Sequence, residues 1–368
     1  MFPLFAGKWP EFVSVTFRNM LQWTPMGQLA SNRLTIRQIA DLAGVSIATV
    51  SRVLNGRDDV APETREAVTR IIRENGYTAN RTARGLSAGR TGLVGVLVPL
   101  IYPAYFSGML AGASEALAEL DMQIVLSPTA GEHDREVSVL DKLHGVTDGA
   151  LMMQPEESSP ELVRLLDEGY RFVVLDPLIP LDQRIASVSA AHASGADQAM
   201  RHLLDLGHRR IAQISGPRGW VATEDRRRGY YAALASAGIL PDLKLEVESI
   251  PEIGPGRAAA EELLDLPEPP TAIFAFNDNI AIGVIQAARE RGVRVPDDLS
   301  VVGFDDVEHA TVVTPTLTTV RQPLAEMGRT AVSLLNRLLE RQRFETLHVQ
   351  LATRLVVRES TAPPSGVR

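Results

Sequence analysis

The stretch "GVSIATVSRVLNG", from Gly44 to Gly56, decides how the first part of the chain folds. It is too polar for a core strand and too short to fold alone, but its apolar residues recur at helical spacing. Gly44 predicts a tight turn, and Ser46 is a good N-cap because its hydroxyl can accept a hydrogen bond from a free backbone N–H. The stretch therefore predicts a turn followed by a short helix that ends at Gly56.

The predicted helix has an apolar face and a second, more polar face. Its inward-pointing residues are Val50, Val53 and Leu54. The spacing i, i+1, i+4 and i+5 then places four residues on the outer face, which are Ile47, Ala48, Ser51 and Arg52.

Predicted helices on both sides complete a helix-turn-helix pattern. The upstream helix has one short apolar face, formed by Ile36, Ile39, Ala40 and Ala43. Downstream, Pro62 suits the first turn of a third helix, and Gly76 is a C-terminal stop. The apolar stripe of that third helix is Val68, Ile71 and Ile72. In such a unit the second helix presents its N-terminal residues to base edges in the major groove of DNA. A small three-helix bundle packed on the rest of the chain is the alternative.

The charge of the chain is unevenly distributed. The 368 residues carry a net charge of −8, yet residues 33–90 hold ten Arg and six acidic residues and residues 91–368 carry a net −13. A small basic module on a large acidic body predicts a polyanionic partner for the N-terminal part only. The length suits two or three domains.

Several classes of protein and site are disfavoured by composition. The chain has no Cys, which excludes disulfides and cysteine zinc sites, and its seven His residues lack metal-ligand spacing. No metal and no cofactor is therefore predicted. No apolar run approaches the roughly 18 residues that a membrane span needs. The N-terminus lacks the features of a signal peptide, so we expect a cytoplasmic protein without a membrane partner.

From residue 91 the sequence alternates between predicted strands and helices. Buried parallel strands are predicted at 92–99, 123–128, 149–153, 171–176, 210–216, 272–276 and 299–305. Helical segments between them include 108–120, 195–206 and 279–291. This is an α/β pattern, which many enzymes share. No GxSxG, P-loop or GxGxxG motif appears, and Asp297–Asp298 and Asp305–Asp306 are interpreted as helix-cap and loop acids. We therefore predict that the protein is not an enzyme.

Two motifs together carry a resemblance to a known family. The segment "LTIRQIADLAGVSIATVSRVLNG" and the downstream "NGYTANRTARGLSAGRTGLVGVLVP" resemble the LacI/GalR family of bacterial repressors, and the similarity covers about residues 34–360. The resemblance implies a helix-turn-helix domain at 34–79, a hinge at 80–90 and an effector-binding and dimerisation domain at 91–368. That last domain is expected to have two periplasmic-binding-protein-like subdomains, with chain crossings near 206, 294 and 324. Residues 1–33 have no counterpart in the family and are expected to be a disordered arm or to precede the true start.

The resemblance also assigns residues to operator DNA. The base-contacting positions are Ile47, Ala48 and Arg52, and Arg52 can donate two hydrogen bonds to a guanine. Candidate phosphate contacts, which position the protein without specifying sequence, are Thr35, Ser46, Thr49, Ser51 and Asn55.

The hinge is expected to contact the minor groove. The segment 80–87 is too short for isolated helicity, and in this family it becomes a helix when two subunits lie on an operator. Leu86 would then wedge between base pairs and kink the duplex, with Ala83 close to the groove floor. Asn80 and Arg81 would lie near phosphates. The common Pro before the Asn is Ala79 here, which loosens the entry to the hinge.

The effector residues follow from family motifs in the body. Arg226 and Asp278 occupy the positions of the family's ligand Arg and Asp, and Trp220, Tyr105 and Phe106 are candidates for stacking on a sugar. A structural ion pair or cap is the alternative for Arg226 and Asp278. A departure is that the family's Asp-Asn pair before "GADQAMRHLLDLGH" reads Ala191–His192. One ligand carboxylate is therefore missing, His192 becomes a candidate effector contact, and a larger, more stacked ligand is favoured.

The sequence thus predicts a homodimeric repressor that binds a pseudo-palindromic operator and is released by a sugar or oligosaccharide. A repressor that needs a non-sugar corepressor and a solute-binding protein are the alternatives. The C-terminal "ESTAPPSGVR" has no leucine heptad, so no tetramer-forming extension is expected.

Overall fold

The computed structural model describes residues 34–54, 56–57, 59–75, 77, 90–101, 104–342 and 346–365. The chain divides into two compact units, residues 1–84 and 85–368. The predictions for residues 1–33 lie outside the described residues. In the part of the chain that is described, no helix is long and apolar enough to cross a membrane.

Within its described residues, the first unit forms three helices. Its helices are α1 (Ile36–Ala43), α2 (Ile47–Leu54) and α3 (Pro62–Glu74). Thr35 and Gln38 form a capping box at the start of α1, and Gly44 ends that helix with a left-handed φ of 63°. The core residues of the domain are Ile39, Ala40, Val50 and Val68. The helix-turn-helix prediction from the 44–56 stretch is confirmed.

The described residues of the second unit form two six-stranded sheets, and the first is parallel throughout. Its order is β11-β5-β4-β3-β1-β2. Its strands are β1 (Leu93–Val98), β2 (Gln123–Pro128), β3 (Gly149–Met153), β4 (Phe172–Leu175), β5 (Ser187–Ala190) and β11 (His348–Leu351). The helices associated with it are α4 (Ala104–Glu119), α5 (His133–Leu143), α6 (Ser159–Asp167) and α12 (Leu324–Leu339).

The second sheet has the order β12-β10-β9-β8-β6-β7, and only β12 is antiparallel to its neighbour. Its strands are β6 (Ile211–Ser215), β7 (Glu246–Glu248), β8 (Ala272–Ala275), β9 (Ser300–Asp305), β10 (Thr318–Arg321) and β12 (Arg354–Val356). The remaining helices are α7 (His192–Asp205), α8 (Val221–Ser236), α9 (Ile253–Leu264), α10 (Asp278–Glu290) and α11 (His309–Val312).

The two sheets define two subdomains that the chain crosses three times. The crossings lie at 190–192, 321–324 and 351–354. The expected crossing near 324 is found, but those near 206 and 294 are wrong. Helix α7 packs against α8 and against strands of the second sheet, so the chain has crossed before it. The segment near 294 connects α10 to β9, and both strands that flank α10, β8 and β9, pair within the second sheet.

Helices α4 and α12 cross at glycines, which makes their packing sensitive to a single methyl group. A Cβ on Gly112 would overlap the carbonyl group of Ala325, and one on Gly328 would overlap that of Met109. We predict that Gly112→Ala lowers the free energy of unfolding by about 1–3 kcal/mol, because two backbones must separate. Gly254→Ala is the control, since its Cβ meets no atom within 4 Å. If thermal unfolding shows the same loss of stability in both variants, the prediction is wrong.

Candidate functional site

Of the four residues predicted on the outer face of α2, three are exposed, and Ser51 is half-buried. Ile47 is 46% exposed, and Ala48 and Arg52 are also exposed, whereas Val50 is fully buried. The Arg52 guanidinium lies 3.6 Å from the Asp59 carboxylate, and both side chains are exposed. Ion pairs of this kind contribute little to stability, so Arg52 is available to another acceptor.

The hydroxyl groups at the helix N-termini serve as caps. Ser46 Oγ accepts from the Thr49 backbone N–H at 3.1 Å and lies 2.9 Å from Thr49 Oγ1. Thr35 Oγ1 accepts from the Gln38 N–H at 3.3 Å. Thr35 and Ser46 are exposed. Ser51 lies within α2 and is half-buried. The predictions for Asn55, Asn80, Arg81, Ala83 and Leu86 concern positions outside the described residues.

A cavity of about 590 Å³ lies between the two subdomains of the body. The polar side chains that line it from the first subdomain include Tyr105, Gln154, Glu156 and Asp176. Those from the second include Arg226, Glu252, Asn277, Asn279, Asp305 and His309. Apolar lining is supplied by Leu100, Phe106, Leu178, Trp220, Ile253 and Phe276, among others. The size is within the roughly 300–1,000 Å³ typical of small-molecule sites.

Arg226 is the best-defined polar group of the cavity. Its guanidinium carbon lies 4.2 Å from the Phe276 ring centroid and 3.8 Å from that of Phe304, so two aromatic faces fix its plane. Its Nη1 donates to the Phe276 carbonyl, and its Nη2 lies 3.3 Å from His192 Nδ1 and 3.8 Å from Asp305 Oδ1. Burial lowers the pKa of Arg226, and Asp305 and Asp176 oppose that shift. Its Nε has no hydrogen-bond partner among the described residues.

Asp176 follows β4 and is saturated by hydrogen bonds. Tyr105 and the Gln154 amide donate to its Oδ2 at 2.6 and 2.7 Å, and His192 Nε2 lies 3.0 Å from its Oδ1. Burial alone would raise the pKa of Asp176, but these hydrogen bonds outweigh it and bring the pKa to about 2. Asp176 is therefore an anion that holds its neighbours in place, and burial beside it raises the pKa of Tyr105 well above the usual value.

Asp305, at the end of β9, is a cavity carboxyl that the sequence interpretation missed. Gln322 donates to its Oδ1 at 2.7 Å, and burial raises its pKa to about 7 despite the nearby Arg226. Its φ of 115° is strained for a residue other than glycine, and such strain is concentrated at functional sites. The sequence assigned Asp305 to a loop, but its position at the carboxyl end of a buried strand was the available signal.

Two predicted effector residues do not line the cavity. Asp278 is fully buried, accepts from Thr319 Oγ1 at 2.5 Å and from the Val307 N–H at 2.9 Å, and lies against Gly303. Burial, with Asp305 nearby, raises its pKa well above the usual value. Asp278 therefore does not reach the cavity in this structure, where it accepts hydrogen bonds under the β9 loop, and its direct contact with an effector stays a prediction. His192, 1% exposed, lies behind Asp176 and Arg226.

The structure does bring the other predicted residues together. Tyr105, Phe106, Trp220 and Arg226 all line the cavity. Trp220 immediately precedes α8, with its ring centroid 6.4 Å from that of Phe276. The sequence interpretation missed additional polar lining residues, which are Gln154, Glu156, Asp176, Glu252, Asn277, Asn279, Asp305 and His309.

Comparisons with known proteins match both units. Residues 35–80 match the bacterial regulatory proteins of the lacI family, and residues 200–361 match a periplasmic binding protein-like domain. The HTH-type transcriptional regulator CelR of Thermobifida fusca is 38% identical, covering 89% of this chain and 98% of the relative. Catabolite control protein A of Priestia megaterium is 34% identical, covering 89% of this chain and 99% of the relative.

Solved structures agree with these relatives. A CelR–cellobiose complex is 36% identical with a TM-score of 0.69, covering 89% of this chain and 100% of that chain. A lac repressor dimer bound to operator and the anti-inducer ONPF is 28% identical with a TM-score of 0.80, covering 90% and 99%.

A helix-turn-helix domain joined to a two-subdomain body with a small-molecule cavity defines a ligand-responsive, DNA-binding transcriptional regulator. With relatives above 30% identity along most of its length, the chain belongs to the LacI family of bacterial regulatory proteins.

Proposed function

We propose that the protein is a repressor that binds a two-fold operator as a homodimer and is released by an uncharged sugar held between its subdomains. The observation that carries this proposal is the 590 Å³ cavity, with its fixed guanidinium, carboxylates and aromatic rings, on a chain that has an exposed recognition helix. The lac repressor neighbour is a dimer bound to operator, which supports the dimeric arrangement.

The DNA-facing side reads sequence through α2. The aliphatic side chains of Ile47 and Ala48 suit apolar contact with a thymine methyl, and Arg52 suits bidentate donation to a guanine. Their exposure on one face supports these roles. Thr35, Ser46, Thr49, Ser51 and Asn55 would position the domain on phosphates. Leu86, with Ala83, would act in the minor groove, and Asn80 and Arg81 would lie near phosphates.

The charge of the cavity favours an uncharged effector. Glu156, Asp176, Glu252 and Asp305 line it, against the guanidinium of Arg226. A phosphorylated or acidic sugar would bring a further negative charge into a confined site with an excess of carboxylates. The hydroxyl groups of a neutral sugar can instead donate to Asp305 and accept from Arg226.

The shape of the cavity favours a ligand with apolar faces. Trp220, Phe276 and Phe106 present rings on which a pyranose can stack. A solved CelR–cellobiose complex is 36% identical to this chain, which supports a disaccharide of similar size and polarity as the effector.

Effector binding would act by closing the cleft. Closure brings the two sheets of one subunit together and shifts the attached N-terminal units of the dimer, so that the hinges no longer pair on DNA. Allosteric couplings are typically 1–3 kcal/mol, or about 5–150-fold in affinity, and are reciprocal between the two ligands.

The first step is to select a high-affinity operator from random double-stranded DNA. The affinity of the full chain for this operator is then measured by the fluorescence anisotropy of the labelled DNA. Cellobiose should lower operator affinity by about 5-fold or more, and glucose 6-phosphate should not. A gain in operator affinity would mean corepression, and the release mechanism would be wrong. No response to any neutral sugar would overturn the sugar proposal. Selection of no DNA at all would overturn the repressor proposal.

A further inference from the structure

We propose that His192 is a positioning residue that couples the effector contact at Arg226 to closure of the two subdomains. The inference rests on the proposed function, in which closure of the cleft releases DNA. His192 begins α7, two residues after β5, at the first point where the chain passes between the subdomains. A side chain at this point experiences any rotation of one subdomain relative to the other.

Both ring nitrogens of His192 are engaged, and their partners lie on different subdomains. Nε2 lies 3.0 Å from Asp176 Oδ1, at the end of β4 in the first sheet. Nδ1 lies 3.3 Å from Arg226 Nη2, on α8 of the second subdomain. Because a guanidinium only donates, Nδ1 must accept. Nε2 then carries the proton and donates it to Asp176, which fixes one neutral tautomer.

His192 thereby becomes the middle of a continuous polar chain across the cleft floor. The chain runs from Tyr105 to Asp176, His192, Arg226 and Asp305. Tyr105, Asp176, Arg226 and Asp305 line the cavity, whereas His192 does not. An effector that contacts Arg226 therefore acts on Asp176 through His192.

Separation of the subdomains would break this chain at His192. Because His192 and Arg226 both belong to the second subdomain, the bond lost is the one to Asp176, whose carboxylate would then lack a hydrogen-bond partner at a buried position, which is costly for a charged group. The His192 ring, whose centroid lies 5.9 Å from that of Phe304, is 1% exposed, so water does not readily replace the lost partner. A second contact, from the Val221 N–H to the Leu178 carbonyl at 2.8 Å, crosses the cleft independently and would remain in variants of His192.

Two substitutions separate this coupling from simple space-filling. In His192→Asn the amide reaches about as far as Nδ1, so it can accept from Arg226 but falls short of Asp176. In His192→Gln the longer amide places a donor near the position of Nε2. If the subdomains separate in the Asn variant and come together again in the Gln variant, the bond to Asp176 is the contact that holds them.

Subdomain separation can be measured directly because the chain has no cysteine. Spin labels on Ile101→Cys and Val312→Cys, which are 51% and 69% exposed, place one probe on each subdomain. Pulsed electron–electron double resonance measures the distance between the two labels in the effector-free full chain. That distance should be longer in H192N and should return toward the wild-type value in H192Q. Thermal unfolding checks that each variant is folded, and Asp176→Asn, which weakens the same bond from the other side, should shift the distances in the same direction.

Operator and cellobiose affinities provide the second measurement. H192N should bind operator about 5-fold or more tightly without effector and should bind cellobiose more weakly, because the open state gains population at the expense of the closed state. Unchanged distances and operator affinity in H192N would overturn the inference, even if cellobiose affinity fell. If cellobiose does not bind the wild type, the sugar proposal fails, while the distances and the effector-free operator affinity still decide the role of His192.

Discussion

Arg226→Met should abolish the response to effector while leaving operator binding in place. The substitution keeps an apolar stem between Phe276 and Phe304 but removes the guanidinium of the cavity. Hydrogen bonds to charged groups contribute about 1.5–3 kcal/mol each. Loss of two to a sugar would weaken cellobiose binding about 100-fold or more. Calorimetry with cellobiose, and operator anisotropy with and without it, measure the two effects.

Arg218→Met is the matched control for this variant. Arg218 precedes the same helix, but its side chain is 75% exposed, pairs with Glu248 at 3.2 Å and does not line the cavity. The Arg218→Met substitution removes the same charge at nearly the same place. It should leave cellobiose affinity within about 2-fold of the wild-type value, as expected for a surface position. Equal cellobiose affinity in R226M and wild type would show that Arg226 does not contact the effector.

The stability of the Arg226 variant must be measured alongside its binding. Removing one partner of a buried charge pair typically costs about 3–5 kcal/mol, and here Asp305 and His192 would lose a neighbour. The pKa of Asp305, about 7 with Arg226 present, should rise further, so that the carboxyl is protonated and the cost is reduced. We expect R226M to unfold cooperatively, as a folded protein does. We also expect its operator affinity to stay unchanged at a cellobiose concentration that saturates the wild type.

Local sequence signals predicted the helix-turn-helix unit well because its determinants are local. Gly44 requires a left-handed turn, Ser46 caps α2, and Val50 faces the core at helical spacing. The seven predicted strands were also found, since each is a continuous apolar run. The missed strands are short, and several are polar or exposed, as in β5 (Ser187–Ala190) and β7 (Glu246–Glu248). Their place depends on pairing partners far along the chain.

The cavity was predicted only in part, for a different physical reason. Motif position indicated Arg226 and Trp220, which line the cavity, and also Asp278, one residue after the N-cap Asn277, which does not. Whether such a side chain turns into the cleft or under a neighbouring strand depends on the space above it. Gly303 leaves room for the Asp278 carboxyl inside the fold, so that Asp305, from another strand, occupies the cavity edge instead. This packing is not visible in either local sequence.

Arg52→Ala should remove most of the preference for operator over random DNA. Each lost bidentate contact to a guanine costs about 1–3 kcal/mol, and a symmetric dimer loses one in each half-site. The combined penalty is then about 2–6 kcal/mol for the operator, while binding to random DNA, which depends on phosphates, changes little. The fold should persist, because the Arg52 pair with Asp59 is exposed at 3.6 Å.

Arg73→Ala distinguishes base reading from simple loss of charge. Arg73 is exposed in the last turn of α3, outside the outer face of α2, and its removal changes the net charge by the same amount. Operator and random-sequence affinities should be measured for both variants at one fixed salt concentration, since the phosphate contribution depends strongly on salt. Arg73→Ala should weaken both affinities slightly and equally, because charge alone carries no sequence information. If Arg52→Ala does the same, Arg52 contacts phosphate rather than a base, and the preference for the operator must come from Ile47, Ala48 or the shape of the DNA.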